Sequence, residues 1–238
     1  MKIFSFLLAG LVIFVAASAF ALISKDRIKE VKNIKTGTST IYTYTADGRV
    51  ATGKNSNGVT SVYEYRDKVI YRKTEDPRTK TSAVDTFILN SKGLVKELRI
   101  GAHLSVTNTT QQFEYDPDGF QTEWRTLSTS RVENTIKTIF QDSNAVSLRQ
   151  NFTGDSREGK GTSSYYSSRR NTISNENFGT AFLGLSSRNL IKEQIYFWTD
   201  RDTSRTYFNY HFDEKGRVSI KATYYQGKLG DSTAYSYY

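Results

Sequence analysis

The chain has no cysteine, one methionine, two histidines and two prolines. Without thiols there are no disulfides, no thiolate metal sites and no cysteine nucleophile, so stability must come from burial. Two histidines, His103 and His211, cannot build a three-histidine zinc centre. Neither a glycine-rich phosphate loop nor a Gly-x-Ser-x-Gly elbow occurs, which removes familiar signatures of nucleotide binding and serine hydrolysis. Long apolar runs are missing as well, except for one at the start.

That one run is informative. Met1-Lys2 supplies a positive end, Ile3 to Ala16 is unbroken apolar sequence, and Ala17-Ser18-Ala19 and Ala19-Phe20-Ala21 offer the small-x-small pattern of a signal-peptidase site. Residues 1–21 therefore read as a secretory signal peptide cleaved after Ala21. The alternative is an uncleaved anchor over Ile3 to Ile23, because roughly 20 apolar residues span a bilayer. With no cysteine at the cleavage point, a lipid anchor is not expected. Residues 22–238 are long enough for a single domain with its own core. The formal charge of +9 attracts anionic partners or simply solvates the surface; Lys and Arg are mixed with Asp and Glu, and clusters such as Arg169-Arg170 are short.

What is abundant is strand-forming residue types, including 16 tyrosines and 14 phenylalanines. In Arg217 to Tyr225, Val218, Ile220, Ala222 and Tyr224 alternate with Arg217, Ser219, Lys221 and Thr223. Leu94 to Ile100 alternates likewise, with Leu94, Lys96, Leu98 and Ile100 opposing Val95, Glu97 and Arg99. An internal repeat organises these strands: two aromatic or apolar residues spaced by one, then a glycine four further on. It occurs at Tyr42/Tyr44/Gly48, Phe87/Leu89/Gly93, Phe113/Tyr115/Gly119 and Tyr210/Phe212/Gly216. A degraded fifth copy is Thr138/Phe140/Asn144, with Asn in the left-handed corner. Each unit predicts a strand end, a type I turn closed by a glycine bulge, and the next strand.

The fold expected is all-β, a long antiparallel meander of a dozen or more strands forming a curved sheet or a partly open barrel. Glu75 to Lys80 and the charged, glycine-rich Gly154 to Gly161 read as loops. Asn171 to Ile191 fits neither strand nor helix and is expected to plug or cap one end.

The units YTYTADGRV, FEYDPDGFQ and YHFDEKGRV resemble the YD repeats of bacterial surface proteins. The stretch FLGLSSRNLIKEQIYFWTDRDTSRTYFNYHFDEKGRV is similar to an exported bacterial family of unknown function described as having a porin-like fold. Gly184, Ser186, Asn189 and Leu190 occupy that family's Gly-x-Ser-x-Asn-Leu positions. The resemblance implies a curved, many-stranded antiparallel sheet and no assigned activity.

Candidate chemistry is sparse. Glycoside hydrolysis needs two carboxylates held roughly 5 to 9.5 Å apart; Glu64 and Glu114, each between two aromatic residues, are the candidates, and alternation puts both on the polar face. His211 lies between Tyr210 and Phe212, on the outward phase. The adjacent pairs Tyr165-Tyr166 and Tyr224-Tyr225 must each send one ring away from the face that buries the other, which makes them the candidate ligand-binding surface. Tyr237-Tyr238 is a third such pair, and its terminal aromatic resembles the ends of outer-membrane barrels. The expectation is a non-enzymatic extracytoplasmic binding or structural protein, with no cofactor or metal, no specific nucleic acid, and a cell-envelope glycan or another envelope protein as partner. The mature domain is not expected to span a membrane. An outer-membrane β-barrel is the first alternative and a carbohydrate-active hydrolase the second; the location follows as periplasm or medium, or the outer membrane for the barrel.

Overall fold

The computed structural model describes residues 26–101, 109–128, 134–153, 158–199 and 202–238. The signal peptide and His103 lie outside the described residues. Sixteen strands follow in order: β1 (Ile28–Asn33), β2 (Ser39–Tyr44), β3 (Val50–Asn55), β4 (Thr60–Arg66), β5 (Val69–Asp76), β6 (Thr81–Leu89), β7 (Val95–Ile100), β8 (Thr109–Tyr115), β9 (Gln121–Ser128), β10 (Asn134–Gln141), β11 (Asn144–Phe152), β12 (Glu158–Arg170), β13 (Asn189–Trp198), β14 (Ser204–Phe212), β15 (Val218–Tyr225) and β16 (Lys228–Tyr237). Each pairs antiparallel with its sequence neighbours, and β1 pairs with β16 through Val31↔Tyr235 and Asn33↔Thr233. The barrel is therefore closed rather than partly open, which leaves neither terminal strand as an exposed edge.

The four repeat glycines form matching corners at one end of the barrel. Gly48, Gly93, Gly119 and Gly216 have φ of 80°, 77°, 100° and 75°. Their N–H groups donate to the carbonyls of Thr45, Asn90, Asp116 and Asp213 at 2.9, 3.1, 3.2 and 2.9 Å. A register shift precedes each turn, as a glycine bulge requires. The fifth copy is different: Asp142 (φ 49°) and Ser143 (φ 63°) form a two-residue corner, and Asn144 begins β11. Two consecutive positive φ values are the signature of a type I′ hairpin, which needs no third residue.

Two expected loops are shorter than they read. β5 runs through Glu75 and Asp76, so that turn is residues 77–80. β12 starts at Glu158 and takes in Gly159 and Gly161; of the segment read as a loop, 154–157 lies outside the described residues.

Pairing fixes which face looks inward. Tyr42, Tyr63, Tyr65, Ile70, Phe87, Leu98, Phe113, Trp124 and Tyr210 share the inner face, whereas Glu64, Lys73, Glu97, Arg99, Lys137 and Arg149 share the outer one. In β15 the inner face is the one carrying Lys221 and Thr223, which pair with inward Tyr210 and Phe208. Alternation alone separates the two faces of that strand without saying which is lumenal. Ile220, Ala222 and Tyr224 point outward there.

Residues 171–188 close the end that carries the glycine corners. The segment contains one 3-10 turn, Ala181–Leu183, and hydrogen-bonds to four strand starts and to the β8–β9 turn. Asn177 and Gly179 carbonyls accept from Ile28 and Val50 N–H at 3.1 Å each, Leu185 N–H donates to Gly119 O at 2.9 Å, Ser187 Oγ accepts from Ala145 N–H at 3.1 Å, and Thr172 Oγ1 accepts from Val218 N–H at 2.9 Å. Phe182 seats the plug among Ile70, Phe87, Val95 and Leu98, edge-on to Phe87 at 5.5 Å and Tyr65 at 6.3 Å. Asn189 to Ile191, expected in the cap, open β13 instead.

Candidate functional site

The inner wall changes character along its length. Near the plug it is aromatic and apolar; further from it the inward positions include Asn33, Asn55, Ser61, Thr74, Asp85, Gln111, Gln150, Gln194, Thr206 and Asp231. No described segment crosses that far end.

A cavity of about 350 Å³ on this wall is lined by Ile136, Leu148, Gln150, Gln194, Tyr196, Trp198, Ser204 and Thr206. Its position follows from two glycines. Gly159 and Gly161 in β12 face inward without side chains, opposite Trp198 and Tyr196 of β13. The Tyr196 ring lies so close over them that a Cβ on Gly159 would come within 2.8 Å of it. Its hydroxyl donates to Gln150 Oε1 at 2.6 Å, while Gln150 Nε2 donates to Asn134 Oδ1 at 3.1 Å. Trp198 packs on Tyr196 (centroids 4.9 Å) and stacks on Phe152 (6.1 Å, 25°). Burial raises the Tyr196 pKa, so the hydroxyl is a neutral donor at ordinary pH.

Two charged pairs occupy other parts of the inner wall. Arg72 donates to Asp85 Oδ2 from Nε at 2.8 Å and from Nη2 at 2.6 Å, and Gly101 N–H donates to Asp85 Oδ1 at 2.9 Å. Asp85 is 6% exposed and is satisfied by this set. Lys221 lies over the Phe208 ring at 4.8 Å, where burial pushes its pKa down and the charge of Asp231 opposes that. Asp231 itself accepts from Asn33 Nδ2 at 2.8 Å. Both carboxylates are engaged by partners, and no group able to hold a metal ion occurs among the described residues.

The residues singled out from sequence are not brought together. Glu64 faces out and pairs with Arg66 at 2.7 Å; Glu114 faces out beside Arg125 at 3.3 Å. They stand on β4 and β8, four strand spacings or about 19 Å apart along the wall, too far for a glycosidase pair. His211 is outward and exposed, cross-strand from Ile220. Tyr165 and Tyr166 lie toward the plug and Tyr224 and Tyr225 beside the opposite turn, so the four do not make one surface.

Tyrosine has a different use in this barrel. Near the plug, an inward tyrosine on an even strand donates its hydroxyl to a carbonyl among the first three residues of the odd strand before it. Tyr44 reaches Ile28 O (2.5 Å), Tyr65 Val50 O (2.7 Å), Tyr165 Ala145 O (2.8 Å), Tyr210 Ile191 O (3.0 Å) and Tyr237 Val218 O (2.9 Å). These carbonyls sit where bulges and plug interrupt the ladder, and the phenol supplies the missing donor. Tyr166 is engaged too, outside this pattern, donating to Phe208 O in the middle of β14 at 3.1 Å.

Sequence reasoning missed the Tyr196–Trp198 cavity. Its signal was the EGKG stretch paired with YFW: two glycines spaced by one, opposite two aromatic residues spaced by one. Read as a loop, the glycines hid it.

The chain is thus a closed, sixteen-stranded, plugged antiparallel barrel. Among solved structures it is similar to a porin-like protein from Bacteroides uniformis ATCC 8492, with 19% identity, a TM-score of 0.65, and 90% of this chain and 98% of that one covered. It is also similar to a porin-like protein from Bacteroides vulgatus ATCC 8482, with 16% identity, a TM-score of 0.65, and 89% and 99% covered. No protein-family model and no curated protein matches the chain. The likeness supports the porin-like fold and the barrel expected as first alternative, and gives no support to the YD-repeat resemblance.

Proposed function

We propose that the protein is a non-enzymatic barrel of the cell envelope whose outer wall faces water and whose lumen receives a small ligand. The observation that carries this reading is the chemistry of the outer wall. Ion pairs stand on it from β4 to β14: Arg66–Glu64, Lys73–Glu75 and Arg99–Glu97 at 2.7 Å, Lys137–Glu123 at 3.3 Å, Arg149–Glu158 at 2.9 Å and Arg205–Glu193 at 3.4 Å. Outward apolar residues are interleaved with these charges, as where Lys73 separates Val62 from Val84 across the strands. A lipid-facing barrel needs an unbroken apolar band about 25 Å tall, and each Arg or Lys at mid-membrane costs about 2–4 kcal/mol. The outward aromatic residues stand opposite charges: Tyr71 pairs with Glu64, Phe197 with Lys160 and Tyr207 with Glu193.

A second reading, the outer-membrane barrel, draws support from the likeness to two porin-like crystal structures and from the aromatic residues at Tyr235, Tyr237 and Tyr238. One experiment separates the two. The exported protein, purified and refolded from urea without detergent or lipid, is expected to elute as a single sharp species and to stay in the supernatant when spun with phospholipid vesicles. Refolding only in detergent, or heat-modifiable migration on a gel after vesicle insertion, would establish the membrane reading instead.

A further inference from the structure

We infer that the lumenal cavity beside β13 and β14 is a subsite for a neutral saccharide; this deepens the lumenal reading above and rests on it.

Two strips of side chains meet there. Phe152, Trp198 and Tyr196 give a run of contacting aromatic rings, with Tyr196 and Trp198 lining the cavity. Beside them Gln194 pairs across the strands with Thr206, and Tyr196 with Ser204, so an amide and two hydroxyls lie next to the rings. The Tyr196 hydroxyl and both ends of the Gln150 amide are already bonded. The side chains of Gln194, Ser204 and Thr206 have no hydrogen-bond partner among the described residues, and all three face the cavity.

Ligand classes can be separated by what the lining offers. None of the eight lining residues is charged, so an anion or cation would enter without a counter-charge after losing its water. An aliphatic ligand would strip water from three polar side chains and return nothing, at about 1–3 kcal/mol for each group left unsatisfied. A sugar ring has an apolar C–H face and a rim of hydroxyls, which complements an aromatic shelf flanked by amide and hydroxyl groups. The cavity of about 350 Å³ falls at the lower end of the range for small-ligand sites.

The test uses the exported full-length protein, fluorescently labelled, on an array of neutral and acidic glycans. Retention of neutral glycans is expected, and it should fall about tenfold in Gln194→Ala, which trims a side chain with no internal bond, and at least as far in Trp198→Ala. Retention of no glycan, retention of acidic glycans alone, or retention unchanged in both variants overturns the inference. A Trp124→Phe variant leaves Trp198 as the sole tryptophan and checks the lumenal reading separately. Acrylamide is expected to quench it. If quenching occurs and no glycan is retained, the saccharide inference falls and the open lumen stands; if Trp198 is not quenched, both fall.

Discussion

At the scale of single residues, the tyrosines explain much of the composition. Five hydroxyls cap carbonyls that the bulges and the plug leave without a ladder partner, and burial raises the pKa of Tyr44, Tyr65, Tyr165, Tyr210 and Tyr237. Tyr235, inside the wall near Tyr42 and Asp231, is pushed by burial and those neighbours to about 12. Each of these groups holds its proton more tightly in the folded barrel than in the unfolded chain, where a phenol titrates near pH 10. Their contribution is therefore complete below about pH 10 and is lost as pH rises above it, for Tyr235 as pH passes through about 12. The urea midpoint should be flat from neutral pH to about 9 and then fall steeply. Tyr44→Phe should cost about 1–3 kcal/mol at neutral pH, because Ile28 O loses its donor, and should make the alkaline fall shallower. A midpoint that Tyr44→Phe leaves unchanged would remove the bracing role.

At the scale of elements, the corner glycines and the plug glycines look alike in sequence and differ in what surrounds them. Gly216 has φ +75° with nothing within 4 Å of an added Cβ, whereas Gly184 has φ +91° and its Cβ would lie 2.6 Å from the Tyr115 ring and 3.0 Å from Gly119 O. Gly216→Ala should thus cost about 1–2 kcal/mol, the strain of a left-handed backbone alone. Gly184→Ala adds a clash against a ring packed under the plug, and urea unfolding should show it to be the more damaging of the two. The corners were legible from the sequence because a tight turn is a local device: four residues carry the hydrogen bonds and the sign of φ. The capping role of residues 171–188 was legible only by default, as sequence that matched neither period. Its bonds run to Ile28, Val50, Gly119, Ala145 and Val218, partners that no local pattern names. The Gly-x-Ser-x-Asn-Leu positions gain a reason here. Gly184 O accepts from Asn175 Nδ2 and Ser186 Oγ from Asn175 N–H, both at 2.9 Å; Asn189 ties to Asn144; and Leu190 is 1% exposed where the plug returns to the wall.

At the scale of the whole molecule, closure decides what local patterns leave open. Period-2 alternation divides each strand into two faces, yet the choice of lumenal face belongs to the barrel, which is why Lys221 is inside and Ile220 outside. Closure itself rests on one pair of strands at the two ends of the described chain: Val31↔Tyr235 and Asn33↔Thr233 in the ladder, Asn33 Nδ2 to Asp231 at 2.8 Å, and Tyr237 on Val218 O. Removing residues 228–238 would unpair β1 and β15 together, giving two edges with free N–H and C=O groups and breaking the pairing β16 makes on both sides. Such edges invite edge-to-edge pairing between molecules. The truncated chain should therefore keep β-sheet circular dichroism but elute as large aggregates, while Tyr238→Ala, which removes the hydroxyl contact to Tyr42 O and the ring contacts with Tyr44 and Lys29 but leaves the ladder intact, should remain monodisperse. Because the outer wall is charged, adding detergent should not return the truncated chain to a single species. Recovery of a sharp monomer peak in detergent would mean that lipid-like contacts substitute for the missing strand, and the water-facing wall would have to be abandoned.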